Sequence, residues 1–137
     1  MSRKKTDLLI VDDELAIRGL MAQIFRTSGY TVRCAEDGLA ALRLINEAAP
    51  AVVLSDLNMP VMSGWELLST IRRQLPGVYV VAMSGSYTGT LIPDGVTADA
   101  FYAKGSSLPD LIQLIADGAR WHRSVSARSG LPVLVRA

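Results

Sequence analysis

The sequence predicts a doubly wound α/β domain, a mainly parallel sheet with helices on both faces, and three features carry that expectation. Five short apolar runs alternate with stretches whose apolar residues recur at helical spacing. Continuous apolar runs read as strands buried on both faces, and parallel neighbours need right-handed crossovers long enough to hold a helix. The chain also has one-domain size: 137 residues, half apolar and 20% charged, bury roughly two thirds of their unfolded surface, enough for a core without disulfide or metal staples.

The elements follow in order. Asp7-Leu8-Leu9-Ile10-Val11 is a strand run that stops at Asp12-Asp13-Glu14. Ile17, Leu20, Met21, Ile24 and Phe25 make a helix stripe, and Gly29 sits where a left-handed C-terminal cap belongs. Tyr30 to Ala35 is the second strand. Asp37 can cap a helix from Gly38 to about Ala48, and Pro50 ends it before the third strand, Ala51 to Ser55, which runs into Asp56. Ser63-Gly64-Trp65-Glu66 has the capping-box form, with Leu67, Leu68, Ile71 and Leu75 behind it at helical spacing. Pro76-Gly77 precedes a fourth strand, Val78 to Met83, ending at Ser84. Ala100 to Ala103 is a short fifth strand followed by Lys104, and Ser107-Leu108-Pro109-Asp110 opens a last helix with Leu108, Leu111, Ile112, Ile115 and Ala119 on one side. Between strands four and five, Gly85, Gly89, Pro93 and Gly95 disfavour a helix, so one there is expected to be short or irregular.

Composition excludes several classes. High apolar content with a net charge of +1 is not that of a disordered chain, nor of a binder of nucleic acid or membrane surfaces, which needs a concentrated basic field. The single cysteine, Cys34, is expected to be a small buried hydrophobe in a reducing compartment. No apolar run approaches the roughly 18 residues of a spanning helix, and Met1 to Asp7 is basic and polar, so a cytoplasmic location is expected.

In an open α/β sheet, ligands bind beyond the carboxyl ends of the strands. Those ends carry Asp12 and Asp13, Asp56, Ser84 and Lys104. Three carboxylates in one crevice repel one another unless a cation is present, and an all-oxygen donor set selects a hard ion, most naturally Mg²⁺. A carboxylate-held metal leaves positions for phosphate oxygens, and Lys104 adds a point charge for the same purpose, so phosphoryl chemistry is expected. Capping of the first helix by Asp12 or Asp13 would account for one acid at most, and for neither Asp56 nor Lys104.

Four segments stand in order at these strand ends: Leu9-Ile10-Val11-Asp12-Asp13-Glu14; Leu54-Ser55-Asp56-Leu57-Asn58-Met59-Pro60 with Gly64 eight residues past Asp56; Met83-Ser84-Gly85; and Phe101-Tyr102-Ala103-Lys104. From Asp7 to about His122 the sequence closely resembles the receiver domain of two-component response regulators, which is flavodoxin-like and similar to chemotaxis regulators. The resemblance implies a five-stranded sheet of order 2-1-3-4-5. It implies that Asp56 accepts a phosphoryl group from a phosphohistidine of a sensor histidine kinase or phosphotransfer protein. Asp13, Asp56 and the backbone carbonyl of Asn58 would ligate Mg²⁺, with Asp12 holding a metal-bound water. Ser84 would hydrogen-bond the phosphoryl group and Lys104 would pair with it, while Ser84 and Phe101 would form the switch that alters binding to a downstream protein target. Self-phosphorylation and slow dephosphorylation are the only catalysis expected, without enzymatic turnover of another substrate.

The chain departs from the family pattern at Lys104-Gly105, where a proline is usual, so a freer loop is expected there, and at Phe101, which lacks a tyrosine hydroxyl. The divisions expected are a receiver over 1–122 and a tail or linker start over 123–137, in a monomer or weak dimer without direct contact to nucleic acid or membrane. The alternative is a receiver-like interaction module that no longer accepts phosphate. A haloacid-dehalogenase-like phosphatase needs a second acid where Asn58 stands, and a flavin carrier's phosphate loop would be repelled by Asp12-Asp13-Glu14.

Overall fold

The computed structural model describes residues 5–86 and 92–129. Five strands, β1 (Asp7–Val11), β2 (Thr31–Ala35), β3 (Val52–Asp56), β4 (Tyr79–Ser84) and β5 (Ala100–Ala103), form one parallel sheet in the order β2-β1-β3-β4-β5. Four helices are described: α1 (Leu15–Thr27), α2 (Gly38–Glu47), α3 (Gly64–Gln74) and α4 (Leu108–Ser129). Strand alternation divides the core. Leu9, Val11, Val53, Val80, Ala82 and Phe101 face α2 and α3, whereas Leu8, Ile10, Val52, Leu54, Val81 and Met83 face α1 and α4. Most of these side chains are fully buried, each worth about 1.5–3 kcal/mol relative to exposure.

Local chemistry sets the helix ends. α1 closes in a Schellman motif: Tyr30 N–H donates to Phe25 O (3.0 Å), Gly29 N–H to Arg26 O (3.1 Å), and Gly29 has φ 100°. The Phe25 and Tyr30 rings meet edge to face at 5.6 Å. Asp37 Oδ1 accepts from Ala40 N–H (2.8 Å), and Ser63 and Ser107 Oγ accept from Glu66 and Asp110 N–H (3.3 and 3.2 Å). Glu66 completes only half a capping box, since its carboxylate takes the Ser63 hydroxyl at 3.5 Å.

Several expectations change. Leu20 is exposed, because the buried stripe of α1 centres on Ala22 and Phe25 and has turned away from it. Cys34 is half-buried, since β2 is an edge strand. The Lys104-Gly105 loop is tied down. Gly105 takes φ 92°, Ser106 N–H donates to Ala103 O (3.0 Å), and the Tyr102 hydroxyl donates to Ser106 O (2.6 Å). No helix is described between β4 and β5; residues 87–91 lie outside the described residues. α4 runs on past His122 to Ser129, supported by Trp121 against the Tyr79 ring (5.6 Å) and by His122 Nδ1 on Gly77 O (2.9 Å). Residues 130–137 lie outside the described residues. Among the described residues, no helix is long and apolar enough to cross a membrane.

Candidate functional site

Because every strand is parallel, all five carboxyl ends fall on one edge. The ladder carries on one bond past three of them: Asp12 N–H to Ala35 O (3.1 Å), Leu57 N–H to Met83 O (2.9 Å) and Lys104 N–H to Ser84 O (2.9 Å). Asp56 pairs opposite Met83 and Ser84 opposite Ala103, so both are last rungs of their strands. Backbone register thus brings residues 12, 56, 84 and 104 together before any side chain is considered.

The side chains complete the cluster. Lys104 Nζ lies 2.9 Å from Asp56 Oδ2, 3.1 Å from Asp12 Oδ2 and 3.3 Å from Glu14 Oε1. Carboxylate oxygens of Asp12, Asp13 and Asp56 lie within 4.8 Å of one another. Asp12 is wholly buried and Asp56 only 4% exposed, while Asp13 opens to solvent. The Asp12 contact lacks hydrogen-bond alignment, leaving Oδ2 the buried side-chain polar atom without a hydrogen bond among the described residues.

Charge does not balance here. Two carboxylates at such a separation repel by about 3 kcal/mol at an effective dielectric near 20, and one ammonium serves four acids. Burial opposes the charge on Lys104, yet the hydrogen bond to Asp56 and the charges of Asp56 and Asp12 prevail and hold it cationic, above the ordinary lysine range. Burial pushes the Asp56 carboxyl up, and the charge on Asp12 adds to that; the Lys104 and Asn58 hydrogen bonds pull the other way without cancelling it. Sharing explains the asymmetry, since several acids hold the one ammonium while Asp56 receives only part of its field. An all-oxygen set with surplus negative charge and a buried carboxylate oxygen that accepts no hydrogen bond fits a hard divalent cation.

The loop from β3 to α3 shapes the open side. Asn58 N–H donates to Asp56 Oδ1 (3.1 Å), and its amide reaches Ser84 Oγ (3.3 Å). Asn58, Met59, Pro60, Ser63 and Trp65 line a groove of about 500 Å³ with Asp13. Gly64 N–H donates to Leu57 O (3.0 Å), and a Cβ at Gly64 would overlap the Asp56 carbonyl oxygen, so α3 can begin this close only with glycine. Val61 holds φ 69°, a conformation β-branched residues seldom adopt.

The sequence model for the response regulator receiver domain matches residues 8–116. The chain belongs to the response regulator receiver family. GlrR, a transcriptional regulatory protein of Escherichia coli (strain K12), is 31% identical to this receiver over 150 aligned residues, covering 99% of the chain but 33% of GlrR. The chain therefore spans a third of that relative's length. The Thermotoga maritima response regulator TrrA, solved with Mg²⁺ and BeF, superposes with a TM-score of 0.76 at 25% identity, covering 82% of this chain and 98% of TrrA. A receiver domain protein from Methanospirillum hungatei superposes with a TM-score of 0.79 at 27% identity, covering 88% and 98% of the two chains.

Within this receiver, the structure brings together Asp12, Asp13, Asp56, Ser84 and Lys104, with Asn58 beside them. Phe101 stands apart, buried in the core on the α2 and α3 face of the sheet and only 3% exposed. Two participants escaped the sequence reading. Glu14 was legible only as one more acid in Asp12-Asp13-Glu14, and Gly64 only as a motif position.

Proposed function

We propose that Asp56 accepts a phosphoryl group from a phosphohistidine of a sensor histidine kinase or phosphotransfer protein, and that the modification changes binding to a downstream protein target. The observation carrying this reading is the Lys104 ammonium 2.9 Å from a buried Asp56 carboxylate inside an acidic cluster. A carboxylate oxygen of Asp56 attacks phosphorus, the P–N bond breaks, and the histidine ring leaves with that electron pair, neutral because its other nitrogen carries a proton. Anion here meets anion, so the chain must supply positive charge to the transferring oxygens. Lys104 supplies one unit. Asp13, Asp56 and the Asn58 carbonyl would hold Mg²⁺, with Asp12 acting through a metal-bound water; when bound, the ion neutralises phosphoryl oxygens.

Ser84 is prepared for donation. Its oxygen accepts from Ser86 N–H (3.0 Å) and from the Asn58 amide (3.3 Å), which leaves its own proton to give to a phosphoryl oxygen. Ser84 turning toward that oxygen would loosen its bond to Asn58, and with Phe101 it forms the switch. The chain would turn over only its own phosphoryl group and would work in the cytoplasm. The output proposed for the receiver span is docking to that downstream protein, since a net charge of +1 offers no concentrated basic field for nucleic acid. Incubation with phosphoramidate tests the reading: a phosphate-retarding gel should show a shifted band that needs Mg²⁺ and disappears in Asp56→Asn. A band unchanged in that variant would refute it, and no band in the wild-type chain would favour the interaction module.

A further inference from the structure

We infer that Glu14 is a placeholder for the phosphoryl group on Lys104: its carboxylate occupies the ammonium position that a phosphoryl oxygen takes over. The inference rests on Asp56 as phosphoacceptor. The Lys104 ammonium donates hydrogen bonds to Asp56 Oδ2 (2.9 Å) and Glu14 Oε1 (3.3 Å), and Asp12 Oδ2 closes a third side as an ion pair at 3.1 Å. With carboxylates on three sides of the ammonium, a phosphoryl oxygen gains a full charge-paired position on Lys104 when one of them gives way.

Exposure decides which. Releasing Asp12 would leave a buried charge whose Oδ2 has no hydrogen bond to fall back on. Asp56 carries the incoming group and cannot leave. The Glu14 side chain is 57% exposed, makes the longest contact of the three, and can exchange Lys104 for water at little cost. Its backbone stays fixed meanwhile, since Glu14 N–H donates to Asp12 Oδ1 (2.9 Å) and Glu14 O accepts from Arg18 N–H (3.0 Å).

A second observation excludes the usual explanation for an acid here. Glu14 is the N-cap residue of α1, yet its side chain makes no capping hydrogen bond. The carboxylate that would complement the helix start reaches across 90 residues of sequence to Lys104 instead. In the resting chain it keeps the ammonium neutralised and turned toward the rim; its displacement makes Lys104 available only when a stronger anion arrives.

Beryllium fluoride, a phosphoryl analogue, tests this on the full chain. In calorimetric titrations with saturating Mg²⁺, Glu14→Gln and Glu14→Ala should bind it roughly twofold to fivefold more tightly than wild type, the worth of one exposed ion pair. Affinity for Mg²⁺ alone should stay within about twofold. Glu36→Gln, which removes an exposed charge just past β2, should change neither. In a Lys104→Gln background the gain from Glu14→Gln should vanish, a coupling that loss of rim charge alone would not produce. Unchanged or weaker affinity in both Glu14 variants, or a gain that persists without Lys104, overturns the inference. Asp56→Asn separates the two failures: if it binds the analogue as wild type does, the phosphoacceptor reading falls and takes this inference with it. If it does not bind, that reading stands and the Glu14 comparison alone decides.

Discussion

Replacing Gly64 by alanine puts a methyl group where the chain has no room for it. The added carbon would lie 2.7 Å from Leu57 Cα and 2.8 Å from the Asp56 carbonyl carbon, and would overlap the carbonyl oxygen. Carbon contacts are comfortable near 3.5–4.0 Å, roughly, so the start of α3 or the end of β3 must move by about 1 Å. Neither end is free. Asp56 pairs opposite Met83, Leu57 N–H holds Met83 O, and Leu57, Leu67 and Leu68 are fully buried. Overpacking of this kind costs about 1–3 kcal/mol, and loss of the Gly64–Leu57 hydrogen bond adds about 1. The urea midpoint should therefore fall by about 1–2 M for a slope near 2 kcal/mol/M. A shift of this size at Asp56 should also slow phosphorylation from phosphoramidate on the order of 100-fold. Gly19 provides the opposite sign: no atom comes within 4 Å of a Cβ there and it sits inside α1, so Gly19→Ala should stabilise by about 0.5–1 kcal/mol. A Gly64→Ala chain with wild-type midpoint and wild-type labelling would refute the claim that close approach of α3 positions Asp56.

Three further expectations follow from the same geometry. Val61→Gly should raise the urea midpoint by an amount worth about 1 kcal/mol, because glycine accepts φ 69° without strain; a drop would mean that the exposed valine packs against something that matters. Lys104→Ala should tighten Mg²⁺ binding several-fold in titration calorimetry while slowing phosphoramidate labelling at least tenfold, because it removes a competing cation from the acids and a neutralising one from the phosphoryl oxygens; weaker Mg²⁺ binding would contradict it. Burial holds the Cys34 thiol above its ordinary range against the pull of Arg26 and Arg18, so less thiolate is present at any given pH. Alkylation by iodoacetamide should accordingly be slower than that of free cysteine at about pH 7.5 and keep climbing with pH after free cysteine has levelled off; reactivity equal to that of free cysteine at that pH would contradict it.

Much of this was legible in one dimension. Strands ending at Asp12, Asp56, Ser84 and Lys104 could be read because buried strands tolerate almost nothing polar, so a charged residue marks where burial stops. Strand order could not be read from periodicity, since any order of parallel strands carries the same apolar pattern; the family resemblance supplied it. Glu14 stayed hidden because its partner is 90 residues away and an acid at a helix start already has a local use. The reach of α4 to Ser129 was missed because its apolar stripe fades after Ala119, where Trp121 and His122 take over with contacts to Tyr79 and Gly77. The exposure of Leu20 and half-burial of Cys34 depend on how far the neighbouring elements extend, which neither residue encodes.

Trapping the modified side chain tests the central claim most directly. The chain is treated with phosphoramidate and Mg²⁺, reduced with borohydride, which converts an aspartyl phosphate to homoserine, and mapped by peptide mass spectrometry. Homoserine should appear at position 56, and only when Mg²⁺ is present. Homoserine at position 12 or 13 instead, or the same yield at position 56 without the metal, would contradict a nucleophile at Asp56 that depends on a cation held by its acidic neighbours.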